Sequence, residues 1–282
     1  MPAQVACIGS AHWDIVARAA LPPTAGADLP GRIVRRPGGV ALNVALGLAR
    51  AGVACEILTV LGRDPDGDAL ARLAAEAGVN AAFVRRSDAA TGRYLAIEGP
   101  DGGLFAAVAD CAALDAGAEA LVMALAARPL PPVVVADGNL DPAALARLVA
   151  LPGPRLVLVA ASPAKAGRLR AAIARGRADV VLNRREAEAV LGRPLRDSRI
   201  AAAALCAAGA REAVVTDGAA AATRTGPGFT VTLAPPAASG GTTGAGDAFA
   251  AALVAADLAG LDPEPALAHA LAVAARHLEA DP

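Results

Sequence analysis

Short apolar runs rich in β-branched residues alternate along this chain with longer segments in which apolar residues recur at helical spacing. The short runs predict strands at 4–9, 54–61, 132–137, 155–161, 179–182 and 212–217. The longer segments predict helices at 42–51, 67–78, 115–127, 141–150, 163–174, 184–191, 197–208, 246–259 and 264–279. Strands and helices that alternate in this way form a mostly parallel sheet with helices on both faces. The pattern therefore predicts an α/β fold.

Two segments depart from this alternation. Residues 12–37 follow the first strand without a helical pattern, and the runs at 91–98 and 103–109 are joined by Gly99-Pro100-Asp101-Gly102-Gly103. A glycine-rich turn between two strand-forming runs is typical of a β-hairpin. We therefore expect additional β structure outside the main sheet.

Composition argues against several functional classes. A net charge of −1 and an aromatic content of 2% offer neither the positive surface nor the stacking platforms that nucleic-acid binding needs. The hydrophobic fraction of 55% is ample for a core, but no apolar run reaches the roughly 18 residues of a membrane-spanning helix. Residues 1–10 lack the charged start and apolar stretch of a signal peptide, so we expect a cytoplasmic protein without membrane contact.

Cysteine, histidine and lysine usage excludes further chemistry. The four cysteines and three histidines show no metal-ligand or catalytic-triad spacing. Lys165 is the only lysine, so the Gly-Lys-Ser/Thr of a P-loop is absent.

The stretch Thr242-Thr243-Gly244-Ala245-Gly246-Asp247 leads into a strong helix-forming segment. Backbone N–H groups of residues 244 to 246 at the helix start would form an anion hole, and the Asp247 carboxylate would accept a proton from a hydroxyl. Together these groups suit transfer of a phosphoryl group to an alcohol. We expect positive φ at a glycine of this turn, such that Gly246→Val distorts it, and a lowered pKa of Asp247 from the helix N-terminus. The alternative is an ordinary loop with an acidic helix cap.

A second glycine-rich site, Gly38-Gly39-Val40-Ala41-Leu42-Asn43, precedes another helical pattern. The glycine pair would let a ligand approach the backbone, and the Asn43 amide offers it both a donor and an acceptor. Asn43 is alternatively a plain helix cap.

The pairing of Gly-Gly-x-x-x-Asn with Thr-Thr-Gly-Ala-Gly-Asp-Ala resembles the ribokinase or PfkB family of sugar and nucleoside kinases, from about Val5 to about His277. The resemblance implies one ribokinase-like α/β domain over residues 1–282, with a small β lid formed by about 12–37 and 83–110. It also implies an enzyme that uses ATP and Mg²⁺ and binds a small sugar or nucleoside. Since an exposed lid edge suits dimerisation, we expect a homodimer through the lid.

The resemblance also assigns site residues. It implies that the phosphoryl acceptor is bound by Asp14, Gly39, Asn43, Arg93 and Asn139. It implies that the nucleotide is bound by Asn183, Thr216, Gly218, Thr243, Gly244 and Gly246. Asn183 and Glu186 resemble the Asn-x-x-Glu near magnesium; three residues apart on a helix, they share a face and can converge on one metal-bound water. Their alternative role is a helix cap with an exposed carboxylate, and Asn139 is alternatively a cap of the helix from Asp141.

Within that family, the chain is most similar to the pseudouridine kinases. The similar segments are Ile8-Gly9-Ser10-Ala11-x-x-Asp14, Gly38-Gly39-Val40, Thr91-x-x-Tyr94-Leu95, Val135-Ala136-Asp137-x-Asn139 and Asn183-Arg184-x-Glu186-Ala187-Glu188. Val40 and Ala41 replace a lysine and a glycine of the ribokinases, which disfavours ribose. Gly241 stands where many relatives have an Asp linked to a monovalent cation, so potassium dependence stays open.

We therefore expect phosphorylation of a 5′-hydroxyl, with pseudouridine as the acceptor. The alternatives are a kinase of a hexose, a keto-sugar acid or another nucleoside, and a catalytically silent sugar- or nucleoside-binding regulator.

Overall fold

An eight-stranded sheet forms the centre of the protein in the computed structural model, which describes residues 2–238 and 244–280. The strand order is β14-β13-β12-β11-β10-β9-β1-β4. The strands are β1 (Val5–Ile8), β4 (Cys55–Leu58), β9 (Val133–Asp137), β10 (Arg155–Val159), β11 (Ala178–Asn183), β12 (Glu212–Asp217), β13 (Ala220–Gly226) and β14 (Phe229–Leu233). Neighbours from β4 to β12 are parallel, and β13 and β14 extend the edge as an antiparallel hairpin.

Helices cover both faces of this sheet. On one face lie α3 (Ala112–Ala126), α4 (Pro142–Ala150), α5 (Pro163–Ala166), α6 (Arg170–Ile173), α7 (Arg184–Leu191) and α8 (Ser198–Ala207). On the other lie α1 (Val40–Arg50), α2 (Pro65–Glu76), α9 (Ala245–Leu258) and α10 (Pro263–Ala280). Each layer has its own buried apolar cluster against the sheet. The predicted α/β fold is confirmed. None of the helices in the described ranges is both long and apolar enough to span a bilayer.

A smaller sheet of order β3-β2-β7-β8 lies beside the carboxyl end of the main sheet. Its strands are β2 (His12–Ala19), β3 (Gly31–Gly38), β7 (Arg93–Glu98) and β8 (Leu104–Asp110). The predicted hairpin is present: β7 and β8 pair antiparallel, and the Gly99 N–H donates to the Gly103 carbonyl at 2.8 Å. We call this four-stranded sheet the lid.

Three elements differ from the sequence prediction. The run at 54–61 divides into β4 and β5 (Val60–Gly62), and β5 leaves the main sheet to pair with β6 (Arg85–Ser87). The predicted helix at 163–174 is broken into α5, a 3₁₀ turn (Gly167–Leu169) and α6. The hairpin of β13 and β14 was not predicted: β13 consists largely of Ala, Thr and Gly, β14 alternates Thr with Phe, Val and Leu, and neither has the continuous apolar run of a buried strand.

Candidate active site

The first turn of α9 presents backbone donors. Gly244 is its N-cap with φ of +83°, and no side-chain cap bond is made to it. The N–H groups of the first turn of a helix have no partner within the helix. The positive φ belongs to Gly244, whereas Gly246 lies inside α9 and a Cβ there would meet no described atom within 4 Å. The expectation that Gly246→Val distorts the turn is therefore wrong. Thr243 and Gly241 lie outside the described residues.

The Asp247 carboxylate lies on the first turn of α9 and accepts a hydrogen bond from Asn43 Nδ2 at 2.8 Å. Burial of the carboxyl group raises its pKa to about 7, and the charges of Asp137, Asp14 and Glu186 add to this rise. The Asn43 hydrogen bond acts in the opposite direction. The expected lowering of the Asp247 pKa by the helix N-terminus is wrong, because desolvation outweighs it.

Each of the two glycines before α1 excludes a side chain for a different steric reason. Gly39 is the N-cap with φ of +99°, and a Cβ there would lie 2.5 Å from the Ser10 carbonyl oxygen. A Cβ on Gly38 would overlap the Asp14 carboxylate. Asn43 lies one turn into α1, so it is not the cap of this helix. The glycine pair thus packs the start of α1 against the residues that flank the acceptor side of the site.

Asp14 is on the lid strand β2 and is only 4% exposed. Its Oδ1 lies 3.1 Å from His12 Nδ1, yet neither atom has a well-formed hydrogen bond within the part of the chain that the structure describes. Burial and the Asp14 charge both raise the pKa of Tyr94, which pairs with Asp14 across β2 and β7. A buried carboxylate oxygen without a partner is costly, and a ligand hydroxyl would satisfy it.

The side chain of Arg93 does not lie beside Asp14. In the lid, Trp13 pairs with Arg93 and Asp14 pairs with Tyr94, so Arg93 faces the opposite side of the sheet from Asp14. Arg93 Nη2 lies 2.9 Å from Asp66 Oδ2, and the same carboxylate pairs with Arg35 at 2.5 Å. The resemblance implied that Arg93 binds the acceptor; this assignment is wrong, because neighbouring residues of a strand point to opposite faces of the sheet.

Asn139 follows β9 and is 5% exposed. Its Nδ2 donates to Ser10 Oγ at 3.0 Å, and its Oδ1 accepts from Lys165 Nζ at 2.6 Å. Asp141 caps α4 itself by accepting from the Ala143 and Ala144 N–H groups, so the alternative role of Asn139 as that cap is wrong.

Asn183 and Glu186 form a capping box at the start of α7. The Asn183 side chain accepts from the Glu186 N–H at 2.9 Å, and Glu186 Oε2 accepts from the Asn183 N–H at 2.8 Å. Glu186 is only 8% exposed, unlike the exposed carboxylate of the alternative interpretation, and burial raises the pKa of this carboxyl group.

These groups lie next to the predicted nucleotide residues. Thr216 is the Cα partner of Asn183 across β11 and β12, and Gly218 follows with φ of +59°. Both strands end at the sheet edge where α9 begins, close enough for the Glu186 charge to influence Asp247. The structure therefore brings Asn183, Glu186 and Asp247 into one region.

The donor set fits a magnesium ion held through water. Among the described residues, no group of three or more His, Cys, Asp and Glu could hold a metal by itself. Mg²⁺ usually keeps several waters and binds through one or two carboxylates plus phosphate oxygens. Glu186 uses Oε2 in the capping box, so Oε1 is available to a metal-bound water.

A cleft of about 230 Å³ opens between α1, α9 and the lid, and Asp14, Asn43 and Gly244 line it. The sequence analysis missed three residues that also line the cleft: Arg36, Arg50 and His277. It also missed His12, which lies against Asp14, and Lys165, which donates to Asn139. The available signals were the uniqueness of Lys165 and the places of His12 and Arg36 beside the Asp14 and glycine-pair motifs, whereas Arg50 and His277 belong to no recognisable motif.

Comparison with known proteins defines the class. A structure of a carbohydrate kinase from Agrobacterium tumefaciens superposes with a TM-score of 0.80 at 30% identity, over 97% of this chain and 90% of that one. A ribokinase from Thermotoga maritima gives a TM-score of 0.82 at 20% identity, over 98% and 92% of the two chains. The fold is therefore ribokinase-like.

The family follows from a model of the pfkB family carbohydrate kinases, which matches residues 2–280. The chain belongs to the PfkB family and is an ATP-dependent phosphotransferase. A curated relative, the bifunctional protein HldE from Marinomonas sp. (strain MWYL1), is 54% identical over 50 residues. That match spans 18% of this chain and only 10% of the relative.

Proposed function

We propose that this kinase transfers the γ-phosphoryl group of ATP to the 5′-hydroxyl of a ribosyl-type acceptor, and that the acceptor is pseudouridine. The kinase chemistry is supported by one observation: Asp247, held by a hydrogen bond from Asn43, lies at the start of α9, where no side chain caps the helix. A carboxylate with a pKa of about 7 is suited to accept a hydroxyl proton near neutral pH. The pseudouridine assignment rests on the similarity of the Asp14, Val40 and Asn139 segments to that branch.

Each side of the site has its role in this proposal. Asp14 binds acceptor hydroxyls, Asn43 orients Asp247, and the N–H groups at the start of α9 stabilise charge on the transferring phosphoryl group. Asn183, Thr216 and Gly218 bind the nucleotide. Mg²⁺, when bound near Glu186, would neutralise phosphate charge.

A panel of acceptors tests the assignment. ADP release is measured with pseudouridine, uridine, ribose, fructose and a keto-sugar acid, with Asp247→Asn as the inactive control. Pseudouridine should give the highest kcat/KM. A preference for a free hexose or keto-sugar acid would refute pseudouridine and leave the kinase chemistry intact. Turnover of no acceptor would support the silent regulator instead.

We further propose that two copies pair through the face of the lid that carries Arg93. Ile33, Leu95, Ile97 and Val108 lie on this face and are 36–75% exposed. Contiguous exposed apolar surface of this kind marks interaction sites. The proposed unit is therefore two copies of one catalytic domain spanning residues 1–282, located in the cytoplasm where ATP is supplied.

Replacing Val108 by Asp places a charge on this lid face and should convert a dimer to a monomer in sedimentation equilibrium. Leu261→Asp, at an exposed apolar position outside the lid, is the matched control and should stay dimeric. A monomeric wild-type protein would refute the proposed pairing.

A further inference from the structure

The single lysine of the chain lies beside the acceptor side of the site. Lys165 belongs to α5, which follows β10 at the carboxyl edge of the main sheet. Its Nζ donates to Asn139 Oδ1 at 2.6 Å and approaches Cys111 Sγ at 3.6 Å. Asn139 is in turn held by Ser10, which contacts the first turn of α1. The ammonium group is therefore fixed relative to the start of the helix that carries Asn43.

The partners of this ammonium are neutral. Within residues 2–238 and 244–280, Lys165 forms no ion pair, and its contacts are an amide oxygen and a thiol. An ammonium has three N–H donors, and the thiol is a weak acceptor. By contrast, the lid residues Arg35 and Arg93 are both paired with the carboxylate of Asp66. Lys165 thus retains donor capacity for a ligand oxygen.

The network that holds Lys165 is buried and fully connected. Asp137 accepts from the Ser10 N–H at 2.8 Å, from Ser10 Oγ, and from the Asn139 N–H at 2.5 Å. Asp137 also contributes to the raised pKa of Asp247, which places this network within electrostatic range of the proposed base. Arg168 fixes the Asn139 backbone by donating to its carbonyl at 2.7 Å. A long, flexible side chain is therefore held in one orientation and is linked through Asn139 and Ser10 to the first turn of α1.

We infer that Lys165, held by Asn139, is a specificity-determining residue that donates to a carbonyl oxygen of the acceptor's base. This inference rests on the proposed function and extends it, since Asp14 and Asn43 address the sugar and Lys165 addresses the base. Uridine and pseudouridine both present carbonyl oxygens, so Lys165 selects acceptors that carry a base over bare sugars and does not separate the two isomers.

Room for the base is limited in this conformation. The gap lined by Ser10, His12 and Cys111 has a volume of about 10 Å³, close to that of one water molecule. His12 and Asp110 of that lining belong to the lid strands β2 and β8. We therefore expect these strand ends to move outward when a base enters.

Kinetics with a matched pair of acceptors test the inference. Pseudouridine is compared with 1,4-anhydroribitol, the same sugar with hydrogen in place of the base. Lys165→Met should lower kcat/KM for pseudouridine by about 10- to 100-fold, the range for losing a hydrogen bond to a charged group. It should leave kcat/KM for 1,4-anhydroribitol unchanged. An equal fall for both acceptors, or no fall for pseudouridine, would overturn the inference.

Chemical labelling gives a readout that does not depend on turnover. Because Lys165 is the only lysine, acetylation by an N-hydroxysuccinimide ester reports on this side chain, with the α-amino group as internal control. Pseudouridine should slow acetylation of Lys165 and not of the α-amino group, whereas 1,4-anhydroribitol should slow neither. Equal protection by both compounds would count against base recognition.

Failure of the proposed function is distinguishable from failure of this inference. If the panel shows another nucleoside to be the acceptor, protection of Lys165 by that nucleoside supports the inference while pseudouridine is refuted. If a free sugar is the preferred acceptor, both are refuted.

Discussion

At the residue scale, the pKa of Asp247 decides how the site works. A helix N-terminus alone would hold this carboxyl group ionised and weakly basic. Burial beside Asp137, Asp14 and Glu186 raises its pKa to about 7 instead, so the group can accept a proton at neutral pH. The same environment makes it dependent on Asn43, whose amide favours the ionised form.

The raised pKa of Asp247 predicts how activity depends on pH. The base must be ionised to act, so kcat/KM should fall as pH drops below about 7. Asn43→Ala removes the hydrogen bond that lowers the pKa of Asp247 and should shift the fall in kcat/KM to higher pH.

Asp247→Asn should retain nucleotide binding and lose about 10²–10⁴-fold in turnover, the range for removal of a general base. An unshifted profile in Asn43→Ala, or near-normal turnover in Asp247→Asn, would contradict this role.

The charge of Glu186 can be removed while its role in the capping box is kept. Glutamine also completes a capping box at this helix position, so Glu186→Gln should preserve thermal stability. We expect the magnesium concentration for half-maximal activity to rise while the acceptor KM stays constant. Metal titration at saturating acceptor measures this effect. An unchanged magnesium response would leave Asn183 and Glu186 with capping as their only role.

At the scale of elements, Gly244 and Gly246 look equivalent in the sequence but have different backbone conformations at the start of α9. Gly244→Ala places a side chain at φ of +83° and 3.1 Å from His277 Nε2, which should cost about 1–3 kcal/mol in the free energy of unfolding. Gly246 has helical backbone and an added Cβ there would meet no described atom within 4 Å, so Gly246→Val should fold normally and lose activity by obstructing the phosphate. Denaturant unfolding and ADP release together distinguish the two effects. Equal stability losses in both variants would contradict the assignment of the turn.

At the scale of the whole molecule, hydrophobic periodicity predicted the parallel sheet and its two helical layers, a glycine-rich turn predicted the β7–β8 hairpin, and the family resemblance implied the lid. It did not predict β13 and β14: β13 pairs with β12, β14 pairs with β13, and neither strand has a continuous apolar run. The Asn43–Asp247 contact joins positions 204 residues apart and was accessible only through the family resemblance. The pairing of Arg93 with Asp66 could not be predicted, because it depends on which lid face the strand register exposes.

The contact between Gly38 and the Asp14 carboxylate has a consequence for how this sequence can change. Any side chain at position 38 would occupy the space of that carboxylate, so the two positions are epistatic: a larger residue at 38 is tolerated only with a smaller one at 14. Gly38→Ala alone should lower the melting temperature and activity, and Asp14→Ala should lower activity. The double variant should regain stability without regaining activity. Additive losses of stability in the double variant would refute the coupling, whereas compensation would mean that related chains can exchange these residues only as a pair.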